Sequence, residues 1–86
     1  MPYRLELESR ARREFLGLPT EIQRRITDVL DDLGRNPRPP GVKKLAGAGG
    51  HRVRVGRYRI LFVVDDGARL IQIYKIGHRR DVYRGL

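Results

Sequence analysis

The stretch HRVRVGRYRILFVVDDGARLIQIYKI, His51 to Ile76, decides the fold. HRVRV (51–55) alternates strictly, with Val53 and Val55 on one face of a strand and Arg52 and Arg54 on the other. Gly56-Arg57 turns the chain into YRILFVV (58–64), apolar enough for a central strand buried on both faces. Asp65-Asp66-Gly67 reads as a hairpin turn in which Gly67 supplies the positive φ. RLIQIYKI (69–76) returns as a third strand, completing an antiparallel three-stranded meander.

Upstream the period changes. Tyr3 to Glu8 alternates and predicts a half-buried N-terminal strand. Ser9 is placed to N-cap a short helix stopped by Gly17 and Pro19. Thr20 opens a second helix, and Gln23 three residues on makes a capping-box pattern. Apolar residues at 22, 26, 29, 30 and 33 continue the face set by Phe15 and Leu18, so the helices form an antiparallel hairpin with one shared apolar side. RNPRPPG (35–41) ends the second helix as a rigid surface connection. GAGG (47–50) has no following Gly-Lys-Ser/Thr, which excludes a Walker-type phosphate loop and leaves a mobile lead-in to the next strand. The expected fold is α+β, one domain over residues 1–86. It consists of an N-terminal strand, a two-helix hairpin, the meander and a short C-terminal tail, with one sheet face covered and the other free.

Charge is distributed as unevenly as hydrophobicity. The net charge is +9. Residues 1–36 carry seven Lys/Arg and seven Asp/Glu, whereas residues 37–86 carry twelve against three. Such a field attracts polyanions. Sixteen of the nineteen cations are arginine, whose planar fork binds phosphate bidentately. The chain has no cysteine and two histidines, which excludes disulfides and thiolate metal sites and leaves no credible metal site or cofactor. The N-terminus lacks the apolar core of a signal peptide, and no apolar run approaches the ~18–20 residues that span a bilayer. A cytoplasmic protein with no membrane partner is expected.

The free sheet face is the place for function. Arg52, Arg54 and Arg59 project from adjacent strands, and the tail GHRRDVYR (77–84) leaves the end of the third strand. Arg52, Arg54, Arg59, Arg79 and Tyr83 are expected to converge on one concave patch. His78 lies beside it, and Lys43, Lys44, Arg57, Arg80 and Arg84 extend it as phosphate contacts.

The stretch from His51 to Arg84 resembles the RelE/ParE toxin superfamily, its RelE branch in particular. The resemblance rests on Lys44-Leu45, the basic alternating strand, Gly-x-Tyr-Arg-Ile-Leu-Phe (56–62), the acidic turn and Gly-His-Arg-Arg-Asp-Val-Tyr (77–83). It implies a RelE-like fold and a toxin of a type II toxin–antitoxin system, a ribosome-dependent endoribonuclease that cleaves mRNA in the A site. There the RNA's own 2′-OH attacks the adjacent phosphate without metal, which inhibits translation. By position, Arg52 and Arg54 stand where the family has two basic strand residues, often lysines. Arg59 stands for a phosphate-binding arginine, Arg79 for a catalytic arginine and Tyr83 for the C-terminal tyrosine. The implied partners are a cognate antitoxin, which physics requires to be acidic over the basic face, and the ribosome carrying mRNA.

The chemistry constrains these roles. In-line transphosphorylation needs a base for the 2′-OH, charge stabilisation at the phosphorane and an acid for the leaving oxygen. Guanidinium, with a pKa above ~12, stabilises charge but does not give up its proton. Proton transfer therefore falls to Tyr83, expected as general base, with Arg79 at the leaving group and His78 in reserve as an acid. Two other functions fit the same fold: a ParE-type inhibitor of DNA gyrase with no hydrolytic site, and a non-enzymatic RNA-binding module.

Overall fold

The alternating stretch forms the sheet its period predicts. The structure, a computed structural model, describes residues 2–39, 41–45 and 50–78. In chain order its elements are β1 (Arg4–Leu7), α1 (Ser9–Leu16), α2 (Thr20–Arg35), β2 (Lys43–Lys44), β3 (His51–Val55), β4 (Tyr58–Asp65) and β5 (Leu70–His78). β3, β4 and β5 pair antiparallel as the expected meander. Two pairings extend it. β1 runs parallel to β5, from Arg4 opposite Leu70 to Leu7 opposite Ile73, and β2 joins the other edge with Lys43 opposite Arg52. The result is a five-stranded mixed sheet of order β1-β5-β4-β3-β2 with two helices, an α+β fold. Alternation reveals that a segment is a strand, not which neighbour it pairs with. The parallel β1–β5 contact is therefore absent from local sequence.

Both helix starts differ from the expected caps. Glu8, not Ser9, occupies the N-cap of α1, and its side chain makes no cap bond. The Glu8 N–H donates to the Ile73 carbonyl at 2.9 Å, so sheet pairing holds Glu8 extended and α1 starts at the next residue. Pro19 is the N-cap of α2, and the capping box does not form. Gln23 instead donates to the carbonyls of Leu18 (2.9 Å) and Leu16 (3.3 Å), satisfying two acceptors of the interhelical turn.

The second hairpin also differs. Its left-handed residue is Arg69, φ 54°, rather than Gly67. The Asp65 carboxylate accepts from the Ala68 N–H at 3.0 Å, which widens the turn and moves the left-handed position to its end. The Arg69 guanidinium lies 5.5 Å from the centre of the Tyr3 ring.

The core lies between the helices and one sheet face. Ala11, Ile26, Leu30 and Leu33 pack against Val55, Ile60, Phe62, Ile71, Ile73 and Ile76. Strict alternation along β5 would set Lys75 on the helix side with Ile71 and Ile73, among apolar side chains that offer an ammonium no partner. A register shift opposite Leu61/Phe62 prevents this: Leu61 faces Lys75 while Phe62 faces Ile73, so Tyr74 is the extra residue of a β-bulge. Beyond the bulge Ile76 returns to the core and Lys75 stays on the other face. Among the described residues no helix is long and apolar enough to cross a membrane.

Candidate nucleic-acid interface

Residues opposite one another on neighbouring strands share a face. Register therefore turns the basic alternation into two rows on the side away from the helices. The first row is Lys43, Arg52, Leu61 and Lys75, read from β2 to β5. The second is Arg54, Arg59 and Gly77. Like charges set directly opposite disfavour the sheet, yet Lys43–Arg52 and Arg54–Arg59 are both such pairs. Arg54 is exposed, Arg52 and Arg59 are half-buried, and Lys75 is only 3% exposed. Among the described residues Arg52 and Arg54 take part in no ion pair. Gly77, opposite Arg59 on β5, adds no side chain to this row.

Acidic groups are held at the other end. Asp66 follows β4, and at about 3.3 Å per residue it lies roughly 23 Å along the chain from Arg59. It is already engaged: Arg38 grips its two oxygens at 3.2 and 3.0 Å, and the Tyr3 hydroxyl donates to it at 2.5 Å. The Arg38 fork, with help from Tyr3, holds the Asp66 carboxyl below its usual range. The same hydrogen bond to Asp66 raises the Tyr3 phenol. This cluster pins the segment after α2 to the β4–β5 hairpin, which sets the entry to β2.

The expected site residues divide between the two sides. Arg52, Arg54, Arg59 and Lys43 come together on the cationic face. Lys44, opposite His51, takes the helix side, and Arg57 is exposed in the β3–β4 turn. His78 does not join the arginines: two residues beyond Ile76 it returns to the helix side, opposite Tyr58. Their rings meet edge to face, 5.6 Å apart at 83°. His51 stacks on Phe62 with centroids 5.6 Å apart, and burial, then Arg38 and Lys44, lowers its pKa. Arg79, Arg80, Tyr83, Arg84 and all of the 47–50 lead-in but Gly50 lie outside the described residues.

Sequence reasoning missed two cations. The spacing 71, 73, 76 of the β5 isoleucines breaks period two, and that break was the available signal for Lys75. Arg25 of α2 was unreadable, because its relevance comes from packing. A Cβ on Gly56 would stand 3.4 Å from both terminal nitrogens of Arg25, so this guanidinium lies against the β3–β4 turn.

Residues 5–83 match the family model of the ParE toxin of the type II toxin–antitoxin system, parDE. The chain belongs to the RelE/ParE toxin family. It is a toxin of a type II toxin–antitoxin system. This toxin is 34% identical to toxin RelG of Mycobacterium tuberculosis, over 98% of this chain and 99% of the relative. It is 30% identical to the putative toxin RelE1 of Methanocaldococcus jannaschii, over 98% of each chain. Its fold superposes on the toxin–antitoxin complex RelBE2 of M. tuberculosis with a TM-score of 0.81 and 30% identity, covering 92% of this chain and 100% of that one. The archaeal RelE–RelB complex of Pyrococcus horikoshii gives a TM-score of 0.83 at 29% identity, covering 93% of this chain and 98% of the other.

Proposed function

We propose that this toxin cleaves mRNA in the ribosomal A site by transphosphorylation, with the substrate's 2′-OH as nucleophile and no metal. The observation that carries the reading is the cross-strand pair Arg54–Arg59, like charges set opposite each other beside Arg52 and Lys43 on the face away from the helices. Two guanidiniums set opposite each other can grip one phosphodiester from both sides by charge-assisted, bidentate hydrogen bonds. Preorganised guanidiniums also stabilise the dianionic phosphorane more than the singly charged ground state, which is what catalysis requires.

Arg54 and Arg59 bind the scissile phosphate, Arg52 and Lys43 the flanking one, and Arg79 the developing charge on the leaving oxygen. Tyr83 takes the 2′-OH proton, because permanently charged arginines do not serve as bases, and the 5′-oxygen leaves beside Arg79 and takes its proton from water. His78, on the other side of the sheet from Arg54, takes no proton-transfer role. The ribosome supplies the in-line alignment of the 2′-OH that a small toxin does not impose alone. The relatives named in complex with RelB support a cognate antitoxin, acidic where it covers the cationic face.

Cleavage of a defined A-site codon on programmed ribosomes tests these roles. Tyr83→Phe is expected to lose about 100-fold or more in rate, and Arg54→Ala or Arg59→Ala about 100-fold each. Full activity in Tyr83→Phe would remove the tyrosine from the mechanism. Inhibition of DNA gyrase without hydrolysis is the second reading, favoured by the ParE description of the matching family model. It predicts blocked supercoiling with intact mRNA.

A further inference from the structure

The geometry points to a second RNA subsite on the helix side of the β3–β4 turn, where His78 and Tyr58 stack a base and Arg25 holds the adjoining phosphate. This inference rests on the nuclease reading for its ligand class and assigns that ligand a path. The row Arg54–Arg59 and the row Val55–Tyr58 are consecutive along the sheet and face opposite sides. They are separated by about 3.4 Å along the strand. A single strand with one phosphate at Arg54 and Arg59 has only to round the tip of the turn for its next nucleotide to reach the helix side.

Three features suit that tip to close approach. Gly56, exposed and with φ 59°, presents backbone where any other residue would raise a side chain. The Arg25 guanidinium lies against that glycine and takes part in no ion pair among the described residues. Arg57 adds a second exposed cation at the same tip. Just beyond it, His78 is exposed and held edge-on by half-buried Tyr58 at 5.6 Å, which fixes the orientation of its ring. A fixed aromatic ring beside arginine forks is the combination that binds unpaired bases and their phosphates, with little dependence on sequence.

The test is fluorescence anisotropy with a labelled single-stranded hexanucleotide RNA carrying a 2′-deoxy position to block cleavage, over a salt series. Circular dichroism melts confirm that each variant is folded. His78→Ala is expected to weaken binding about tenfold, and His78→Phe to stay within about twofold of the parent. Arg25→Gln is expected to weaken binding about fivefold and to reduce the salt slope by about 0.7. Parent-like affinity in His78→Ala overturns the subsite. So does a phenylalanine variant as weak as the alanine one. Cleavage on programmed ribosomes by the unmodified toxin is run alongside. Intact mRNA there would sink the nuclease reading, while the anisotropy series still decides the subsite.

Discussion

At the scale of single residues, position on a pleat decides role. His78 and Arg59 come from strands that are neighbours, yet alternation puts one beside Tyr58 and the other beside Arg54. The arginines of β3 were legible because their alternation with Val53 and Val55 is strict. His78 was expected in the tail after the third strand, whereas β5 runs on to include it and so fixes its side. The Asp66 cluster gives a pH prediction with a definite sign. The folded pKa of Asp66 is depressed, by Arg38 first and Tyr3 second, so its stabilisation is present above the unfolded carboxylate value of ~3.9 and lost as pH falls through the folded value. Thermal melts of the parent and Asp66→Asn should differ by a constant amount from about pH 5 to 8 and converge below about pH 4. A gap that persists undiminished into acid would contradict the Arg38–Asp66 pairing.

At the scale of elements, the turns carry the strain and the strands carry the pattern. Gly50 and Gly56 both have positive φ, at 91° and 59°. Their surroundings differ. A Cβ at Gly50 would stand 2.6 Å from the Phe62 carbonyl oxygen, a backbone atom of the β4 interior, whereas at Gly56 it meets only the mobile end of Arg25. Gly56→Ala is therefore expected to cost about 1–2 kcal/mol, the ordinary left-handed penalty, and Gly50→Ala clearly more. Urea unfolding of the two variants checks the order, and a smaller loss at Gly50 would contradict it. In the core, Ile26→Ala is expected to cost about 2–5 kcal/mol, since Ile26 is fully buried against the sheet. Strand and helix locations were readable from periods of two and 3.6, except for β2, whose two residues are too few to show a period. The helix caps were not, because sheet bonding at Glu8 and the interhelical contacts of Gln23 overrode local capping preference.

At the scale of the whole molecule, charge is separated along the sheet. Cations gather at the β3–β4 end and on the face away from the helices, and the Arg38-bound Asp66 sits at the far hairpin. The excess of cations was visible in the sequence, as an electroneutral first part and a basic second part. Its concentration on one face required the register. Long-range attraction of this kind accelerates encounter with acidic partners and is screened by salt. The association rate with the cognate antitoxin should fall steeply between ~50 and ~500 mM salt while the dissociation rate changes less; an association rate flat across that range would contradict it. The central claim is that the cationic face serves cleavage of ribosome-bound mRNA, and the most direct measurement is end analysis of a defined message in the A site of programmed ribosomes. The account predicts a single cut within the A-site codon, leaving a 2′,3′-cyclic phosphate and a 5′-OH, and its loss in the Arg54→Ala/Arg59→Ala double variant. An intact message with the unmodified toxin, under conditions in which gyrase supercoiling is blocked, would contradict it.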